Sequence, residues 1–172
     1  VNLLISGEVL EAMAENEPES LELLRKSLDA GTAAIIGGEF HELELPLLLP
    51  EAIRRQIEKG LDAYDRYLGR RPLVFGRRRF GMTPVLPQIL NDAGFTGVMH
   101  ATLDDGRFPA PDASRIQWEG IDGSAAETIV RVPSDVARPE TFQSLPQQLG
   151  SAVNLDYFAT VLFAHWPGAS ST

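Results

Sequence analysis

The chain has 172 residues, of which 44% are hydrophobic and 23% charged, and its 24 acidic and 15 basic residues give a formal net charge of −9. These values are typical of one globular domain or a large part of one. The acidic balance argues against binding to nucleic acid through phosphates. The absence of cysteine excludes disulfides, thiolate zinc sites and cysteine nucleophiles. No apolar run reaches the roughly 18 residues of a membrane span.

The first half of the chain alternates short apolar runs with helical patterns. We predict, in chain order, a strand over Val1–Ser6, a helix over Glu8–Glu15, a helix from Pro18 to Gly31, a strand over Thr32–Ile36 and a helix from Pro50 to Gly69. The last of these helices carries apolar residues at helical spacing and a charged opposite face. Its proline and glycine suit the first helical position and the residue after the last turn.

The second half continues the alternation. We predict a strand over Leu73–Phe75, a helix from Thr83-Pro84 to Gly94, a strand over Gly97–His100, two strands over Arg115–Trp118 and Glu127–Val132 joined by the turn Gly120–Ser124, a helix over Pro139–Leu149 and a strand over Tyr157–Phe163. Short buried strands between helices indicate an α/β fold with a mostly parallel sheet. A full (β/α) barrel needs roughly 250 residues. We therefore predict a partial or trimmed barrel.

The domain prediction covers residues 1–172 as a single domain. Because the chain begins with Val1 rather than methionine, we expect a fragment of a longer barrel protein. The compartment cannot be read from this sequence. If a missing portion carries the first barrel strands, the sheet has an open edge that favours pairing with another chain, so self-association is expected.

Carboxylates collect directly after the second predicted strand. Gly37-Gly38 is followed by Glu39, His41, Glu42 and Glu44. In parallel α/β folds, ligands bind at the carboxyl ends of strands. The two glycines let the backbone turn tightly and approach a ligand, and the carboxylates can accept hydrogen bonds from sugar hydroxyls. The same pattern fits a strand end with exposed acids, or a metal site formed by His41 with Glu42 or Glu44.

Three consecutive arginines, Arg77, Arg78 and Arg79, follow the third predicted strand of this acidic chain. Arginine matches carboxylate and phosphate geometry through its planar guanidinium. We expect these side chains to pair with nearby carboxylates inside the protein. Binding of an anionic ligand and exposure to solvent are the alternatives.

Two segments contain tryptophan. Trp118 can stack on a sugar, with Glu119, Asp122 and Ser124 binding hydroxyl groups. The alternative is a glycine-rich hairpin turn, because Asp-Gly strongly favours one. At the end of the last predicted strand, His165-Trp166 can contact a ligand or pack in the core.

Together these segments resemble the glycoside hydrolase family 38 and 57 group, glycosidases and deacetylases with a seven-stranded (β/α) barrel. The similar blocks are SGEVLEAMAENEPESLELLRKSLDAGTAAIIGGEFHELELPLLLPE, LGRRPLVFGRRRFGMTPVLPQILNDAGF and WEGIDGS. The third is similar to a family 38 segment, so the alpha-mannosidase-like family 38 members are the closest within this resemblance. The resemblance implies carbohydrate as the partner. The acidic charge and the lack of a long apolar run, given above, argue against nucleic acid and membrane as partners.

The chain departs from the family pattern at the active site. Where family 38 has an aspartate that is nucleophile and zinc ligand, two residues before Phe80-Gly81, this chain has Arg78. Met82 replaces the usual histidine, and the His-x-Asp metal motif is absent. An alignment to family 57 expects a glutamate nucleophile in the same loop, where only the three arginines are found. We expect no cofactor and no metal ligand in this chain, although an intact family 38 barrel would hold zinc.

The resemblance leaves three hypotheses for function. The first is an alpha-mannosidase-type glycosidase, with Glu42, Glu44 and Asp122 as the catalytic candidates.

The second hypothesis is a barrel that binds carbohydrate or is purely structural and does not hydrolyse. The expected substrate-binding residues are Arg78, Trp118, Glu119, His165 and Trp166. The Arg78 departure favours this hypothesis over the first.

The third hypothesis is a metal-dependent hydrolase or deacetylase on the same barrel. It would use His41, His100 or His165.

Overall fold

The computed structural model describes residues 1–78, 81–101, 115–131, 134–135, 138–156 and 163–164. The elements are β1 (Asn2–Leu4), α1 (Gly7–Asn16), α2 (Pro18–Asp29), β2 (Ala34–Gly37), α3 (Pro50–Leu68), β3 (Val74–Arg77), α4 (Leu86–Asp92), β4 (Gly97–Ala101), β5 (Arg115–Glu119), β6 (Ala125–Arg131), β7 (Ser134–Asp135), α5 (Pro139–Asp156) and β8 (Phe163–Ala164). None of the helices in these ranges is long and apolar enough to cross a membrane.

Six strands form one sheet in the order β1-β2-β3-β4-β6-β5. Every neighbouring pair is parallel except β5 and β6, which are antiparallel. The short strands β7 and β8 pair separately. The mostly parallel α/β sheet confirms the predicted fold class, and a trimmed barrel accounts for its open order. Strand β1 lies at one edge of the described sheet, and self-association through an open edge stays a prediction.

Helix α3 begins and ends at the proline and glycine that its sequence pattern indicates. Pro50 occupies its first turn and Gly69 ends it with a left-handed φ of 66°. Its inward face is buried from Ile53 to Leu68 and packs in two hydrophobic clusters. The first cluster contains Leu45, Ile53, Ile57, Leu61, Phe75, Leu86, Ile89, Leu90, Phe95, Val98 and Ala126. The second contains Leu10, Leu21, Leu24, Leu28, Tyr64 and Leu68.

The boundaries of several elements differ from the predictions. Strand β3 ends at Arg77 rather than Phe75, so the first arginine of the triplet belongs to the sheet and not to a loop. Arg77 belongs to the strand because its backbone pairs with that of His100 in β4. Helix α5 extends to Asp156 with Pro146 in its interior. Of the predicted strand Tyr157–Phe163, only Phe163 lies among the described residues.

The two faces of β3 have different neighbours. Phe75 packs in the first cluster beneath α3 and α4. Gly76 faces the opposite side, where an added β-carbon would collide with Ile36 and lie only 3.0 Å from Leu4, so that a side chain would not fit. Since alternate residues of a strand share a face, Arg77 lies on the helix-covered side with Phe75. Residue 78 is the next along the chain and leaves the strand toward the other side.

Candidate carbohydrate site

The candidate site lies at the carboxyl ends of β2 and β3, where the chain leaves the sheet. The register pairs Gly37 with Phe75 and Arg77 with His100, which brings the following loops side by side. Three charged or polar side chains are almost completely buried here: Glu39 at 2%, Arg77 at 0% and His100 at 1% exposure. Polar burial of this degree requires satisfied partners.

Gly37 and Gly38 direct Glu39 toward β3. The hydroxyl of Tyr64 accepts a hydrogen bond from the main-chain N–H of Gly38 at 3.1 Å and donates one to the carbonyl of Ile5. Gly38 has a φ of 149°, and a β-carbon there would lie 2.8 Å from the rings of Phe75 and Phe95. Only glycine fits this conformation and this space.

Arg77 forms a buried hydrogen-bonded pair with Glu39, and the pair is ionic when Glu39 is deprotonated. Its Nη1 donates to Oε1 at 3.2 Å and lies 3.1 Å from Oε2. Its Nη2 donates to the carbonyl of Leu43 at 2.6 Å. Gly81 packs directly on the guanidinium, leaving no room for a side chain. The pair therefore ties β3 to the loop that follows β2, on the side covered by helices.

Burial changes the titration of this cluster. It raises the pKa of Glu39 to about 8, against the lowering effect of the Arg77 charge and with a smaller raising effect from Glu42. It lowers the pKa of His100 to about 4, and the Arg77 charge adds to that shift. Both shifts have the expected sign, because desolvation disfavours the charged form of each group. At neutral pH Glu39 is mostly protonated and His100 is neutral.

A second arginine–carboxylate pair, Arg78 and Glu42, lies at the solvent-exposed carboxyl ends of β2 and β3, which we call the rim. Glu42 accepts hydrogen bonds from the main-chain N–H of Arg78 at 2.9 Å and from its Nε at 3.0 Å. The Glu42 side chain is 8% exposed, whereas that of Arg78 is 54% exposed. The glutamate thus anchors the arginine at the surface by two points.

Neighbouring groups fix the rest of this rim. Nδ1 of His41 lies 2.7 Å from a carboxylate oxygen of Glu8 in α1, and the Lys59 ammonium lies 3.4 Å from the centre of the Phe40 ring. Glu44 is exposed, and its carbonyl accepts a hydrogen bond that closes the following turn. Among the catalytic candidates, Glu42 and Glu44 therefore lie at the same rim as Arg78.

Asp122 lies in the turn between β5 and β6. The main-chain N–H of Ile121 in this turn donates a hydrogen bond of 2.8 Å to the carbonyl of Pro84, in the segment between β3 and α4. Ser124 holds Asp122 through hydrogen bonds of 2.6 and 3.1 Å, and the bond from the Ser124 hydroxyl lowers the pKa of Asp122. This arrangement is the Gly-rich turn that was the alternative reading of the segment.

The other predicted binding residues are scattered. Trp118 is half-buried and packs against the first hydrophobic cluster. Glu119 is exposed and belongs to the same hairpin, next to Trp118. His165 and Trp166 lie outside the described residues. Sequence reasoning placed Glu39, Arg77 and His100 near strand ends. It named His100 only for the metal-dependent hypothesis and did not select Glu39 or Arg77, although the Gly-Gly-Glu sequence was a usable signal.

The described residues contain no group of three or more histidine, aspartate or glutamate side chains that could hold a metal ion. His41 pairs with Glu8, while His100 is buried beside the Arg77 charge. These side chains do not fit a zinc centre, and no step below depends on one. The expectation that an intact family 38 barrel would hold zinc stays a prediction.

Comparison with known proteins identifies the family. The model of glycosyl hydrolase family 57 matches residues 1–107, which include the Gly-Gly loop and both arginine pairs. The chain belongs to glycosyl hydrolase family 57. The predicted group of families 38 and 57 is thereby narrowed to family 57, and the preference for family 38 is not supported.

Two curated relatives are similar to this chain. The 4-alpha-glucanotransferase of Thermococcus litoralis is 27% identical over 184 aligned positions, covering 98% of this chain and 27% of the relative. Alpha-mannosidase G of Dictyostelium discoideum is 28% identical over 115 positions, covering 66% of this chain and 11% of the relative. The chain thus spans about a quarter or less of the length of these relatives.

Solved structures show the same fold. The T. litoralis 4-alpha-glucanotransferase matches with a TM-score of 0.67 and 22% identity, covering 98% of this chain and 28% of that one. An alpha-mannosidase from Enterococcus faecalis V583 matches with a TM-score of 0.69 and 18% identity, covering 94% and 19%. At these identities the likeness shows the fold alone.

Proposed function

We propose that this chain is a carbohydrate-binding domain of family 57 that does not hydrolyse glycosidic bonds by itself. One observation carries the proposal: at the rim where the resemblance expects a carboxylate nucleophile, Arg78 is held in place by Glu42. A guanidinium cannot attack an anomeric carbon. The family and its glycan-processing relatives support carbohydrate as the ligand.

The chemistry of a retaining glycosidase supports the same conclusion. Such an enzyme needs two carboxyl groups about 5–5.5 Å apart, one as nucleophile and one as acid and base. Glu42 is bound to Arg78, Glu39 is buried against Arg77, and Asp122 is bound by Ser124. Glu44 lies at the same rim and is exposed. The residue at the expected nucleophile position is thus an arginine, and the carboxyl group beside it is occupied by that arginine.

We propose α-linked hexose oligosaccharides as the ligand class, because the similar proteins are named as a glucanotransferase and alpha-mannosidases. The alpha-mannosidase-type hydrolase is the counter-hypothesis. The metal-dependent deacetylase is disfavoured by the positions of His41 and His100 described above.

The test is hydrolysis of a panel of 4-nitrophenyl α- and β-glycosides, glucosides and mannosides included, with and without zinc. In parallel, maltotriose and mannotriose are titrated by calorimetry. We expect heat of binding with at least one trisaccharide and no nitrophenol release above the buffer rate. Release that Glu42→Gln abolishes would establish the hydrolase instead. Absence of binding to both sugars would refute the carbohydrate-binding role.

A further inference from the structure

The exposed arginine at the rim is held in an unusual way. In other described surface pairs, the carboxylate is itself about half-exposed: the side chain of Asp92 is 50% exposed in its pair with Arg54, and that of Asp65 is 46% exposed in its pair with Arg71. In the rim pair the carboxylate of Glu42 is 8% exposed and only Arg78 faces solvent. A buried anchor with an exposed guanidinium presents the arginine outward.

The bonding pattern leaves binding capacity on that guanidinium. An arginine side chain has five N–H donors in a fixed planar arrangement, and the hydrogen bond to Glu42 uses the one on Nε. The donors on the two Nη atoms match the paired oxygens of a carboxylate, phosphate or sulfate. Because Nε and the main-chain N–H of Arg78 are both fixed, the side chain loses little additional freedom when a ligand binds.

The charges around the rim are mixed. Arg77 and Arg78 lie here on a chain whose formal charge is −9, and Glu42 compensates one of them. Glu44 and Glu8 also lie nearby. The preference for an anion therefore depends on the hydrogen-bond donors that Arg78 presents and not on a net positive charge.

We infer that Arg78 binds an anionic substituent, so that the preferred ligand is a carbohydrate carrying a carboxylate, phosphate or sulfate group. This inference rests on the proposed carbohydrate-binding function and adds a specificity determinant to it. Glu42 acts as a positioning residue, because it fixes Arg78 without facing the ligand.

The test measures affinity for maltotriose and mannotriose and for derivatives of each that carry a carboxylate, a phosphate or a sulfate at one C6. Charge-assisted hydrogen bonds to a fixed guanidinium predict that the best anionic derivative binds about 10- to 100-fold more tightly than its neutral parent. The three derivatives distinguish uronic acids from phosphorylated and sulfated sugars. The preference should decrease with added salt.

Variants locate the effect. Arg78→Gln should reduce the ratio of anionic to neutral affinity to about one. Arg71→Gln is the matched control, because Arg71 is 50% exposed and also bound to a carboxylate through Nε, and it should keep the ratio. Circular dichroism and melting temperature verify that each variant folds.

Glu42→Gln separates positioning from charge. This substitution makes the rim more positive, so simple attraction would increase the ratio, whereas loss of positioning decreases it. We expect a decrease. Neutral sugars that bind as tightly as the anionic ones, or a ratio that survives Arg78→Gln, would overturn this inference while the binding function stands. Failure of every sugar to bind would overturn both.

Discussion

The buried Glu39 should make the free energy of unfolding depend on pH in a specific way. In the folded chain its pKa is about 8, against an ordinary value of 4.5. Between these pH values the folded state holds a proton that the unfolded state has lost. The free energy of unfolding therefore falls with rising pH by about 1.4 kcal/mol per unit, and levels off above pH 8.

His100 acts in the opposite sense over a lower range. Its folded pKa is about 4 against 6.5, so the unfolded state binds an extra proton between these values and stability rises with pH. The two contributions roughly cancel from pH 4.5 to 6.5. Above pH 6.5 only the Glu39 contribution remains, and from there to pH 8 it amounts to about 2 kcal/mol.

The perturbation is Glu39→Gln, which keeps the shape and the hydrogen-bond acceptor for Arg77 but cannot titrate. Urea unfolding at half-unit steps from pH 4.5 to 9 gives the free energy of unfolding for each chain. We expect the fall between pH 6.5 and 8 to disappear in the variant. Below pH 6.5 the variant should lose stability on acidification, because the His100 contribution is no longer offset.

Two further variants test whether Glu39 causes this pH dependence. Glu58→Gln, an exposed carboxylate on α3, should keep the profile of the parent chain. Arg77→Met should move the levelling-off above pH 8, because the Arg77 charge lowers the pKa of Glu39. Parallel profiles for the parent and Glu39→Gln across the whole range would refute the reasoning.

Two predictions concern the backbone that positions the rim. Gly38→Ala should lower the free energy of unfolding by about 2 kcal/mol or more, because the φ of Gly38 is 149° and the new methyl group would press on the rings of Phe75 and Phe95. Chemical denaturation measures this loss, and a value below about 0.5 kcal/mol would contradict the prediction. Tyr64→Phe should lower the free energy of unfolding by about 1–3 kcal/mol, because the Gly38 N–H and the Ile5 carbonyl lose their buried partner. A melting temperature equal to that of the parent chain would contradict this prediction.

Local patterns in the sequence were sufficient for most of the architecture. The apolar spacing, proline and glycine of α3 predicted its limits within one residue, and the Asp-Gly turn predicted the β5–β6 hairpin. These features depend on residues close together in the chain. The parallel order of the strands followed from the alternation of helices and strands.

The chemistry of the rim depended on geometry that local patterns do not contain. Three consecutive arginines indicated a basic loop, yet Arg77 is fully buried because it continues β3 and pairs with β4. Successive side chains of a strand point to opposite faces of the sheet, so the register of β3 decides whether Arg77 or Arg78 faces the helices. A shift of one residue would place Arg78 on the helix-covered face and Arg77 on the other. Asp122 and Glu42 both belong to blocks of the family resemblance, but the resemblance did not indicate that Ser124 binds the first and Arg78 the second.

The central claim is that the rim binds carbohydrate without cleaving it, and a single NMR sample tests both parts. Maltotriose and mannotriose are incubated with the protein at pH 7, saturation transfer to the sugar protons reports binding, and new reducing-end anomeric signals over several days report cleavage. The account predicts saturation transfer to at least one trisaccharide with no new anomeric signals. New anomeric signals that depend on the protein, or absence of transfer to either sugar, would contradict it.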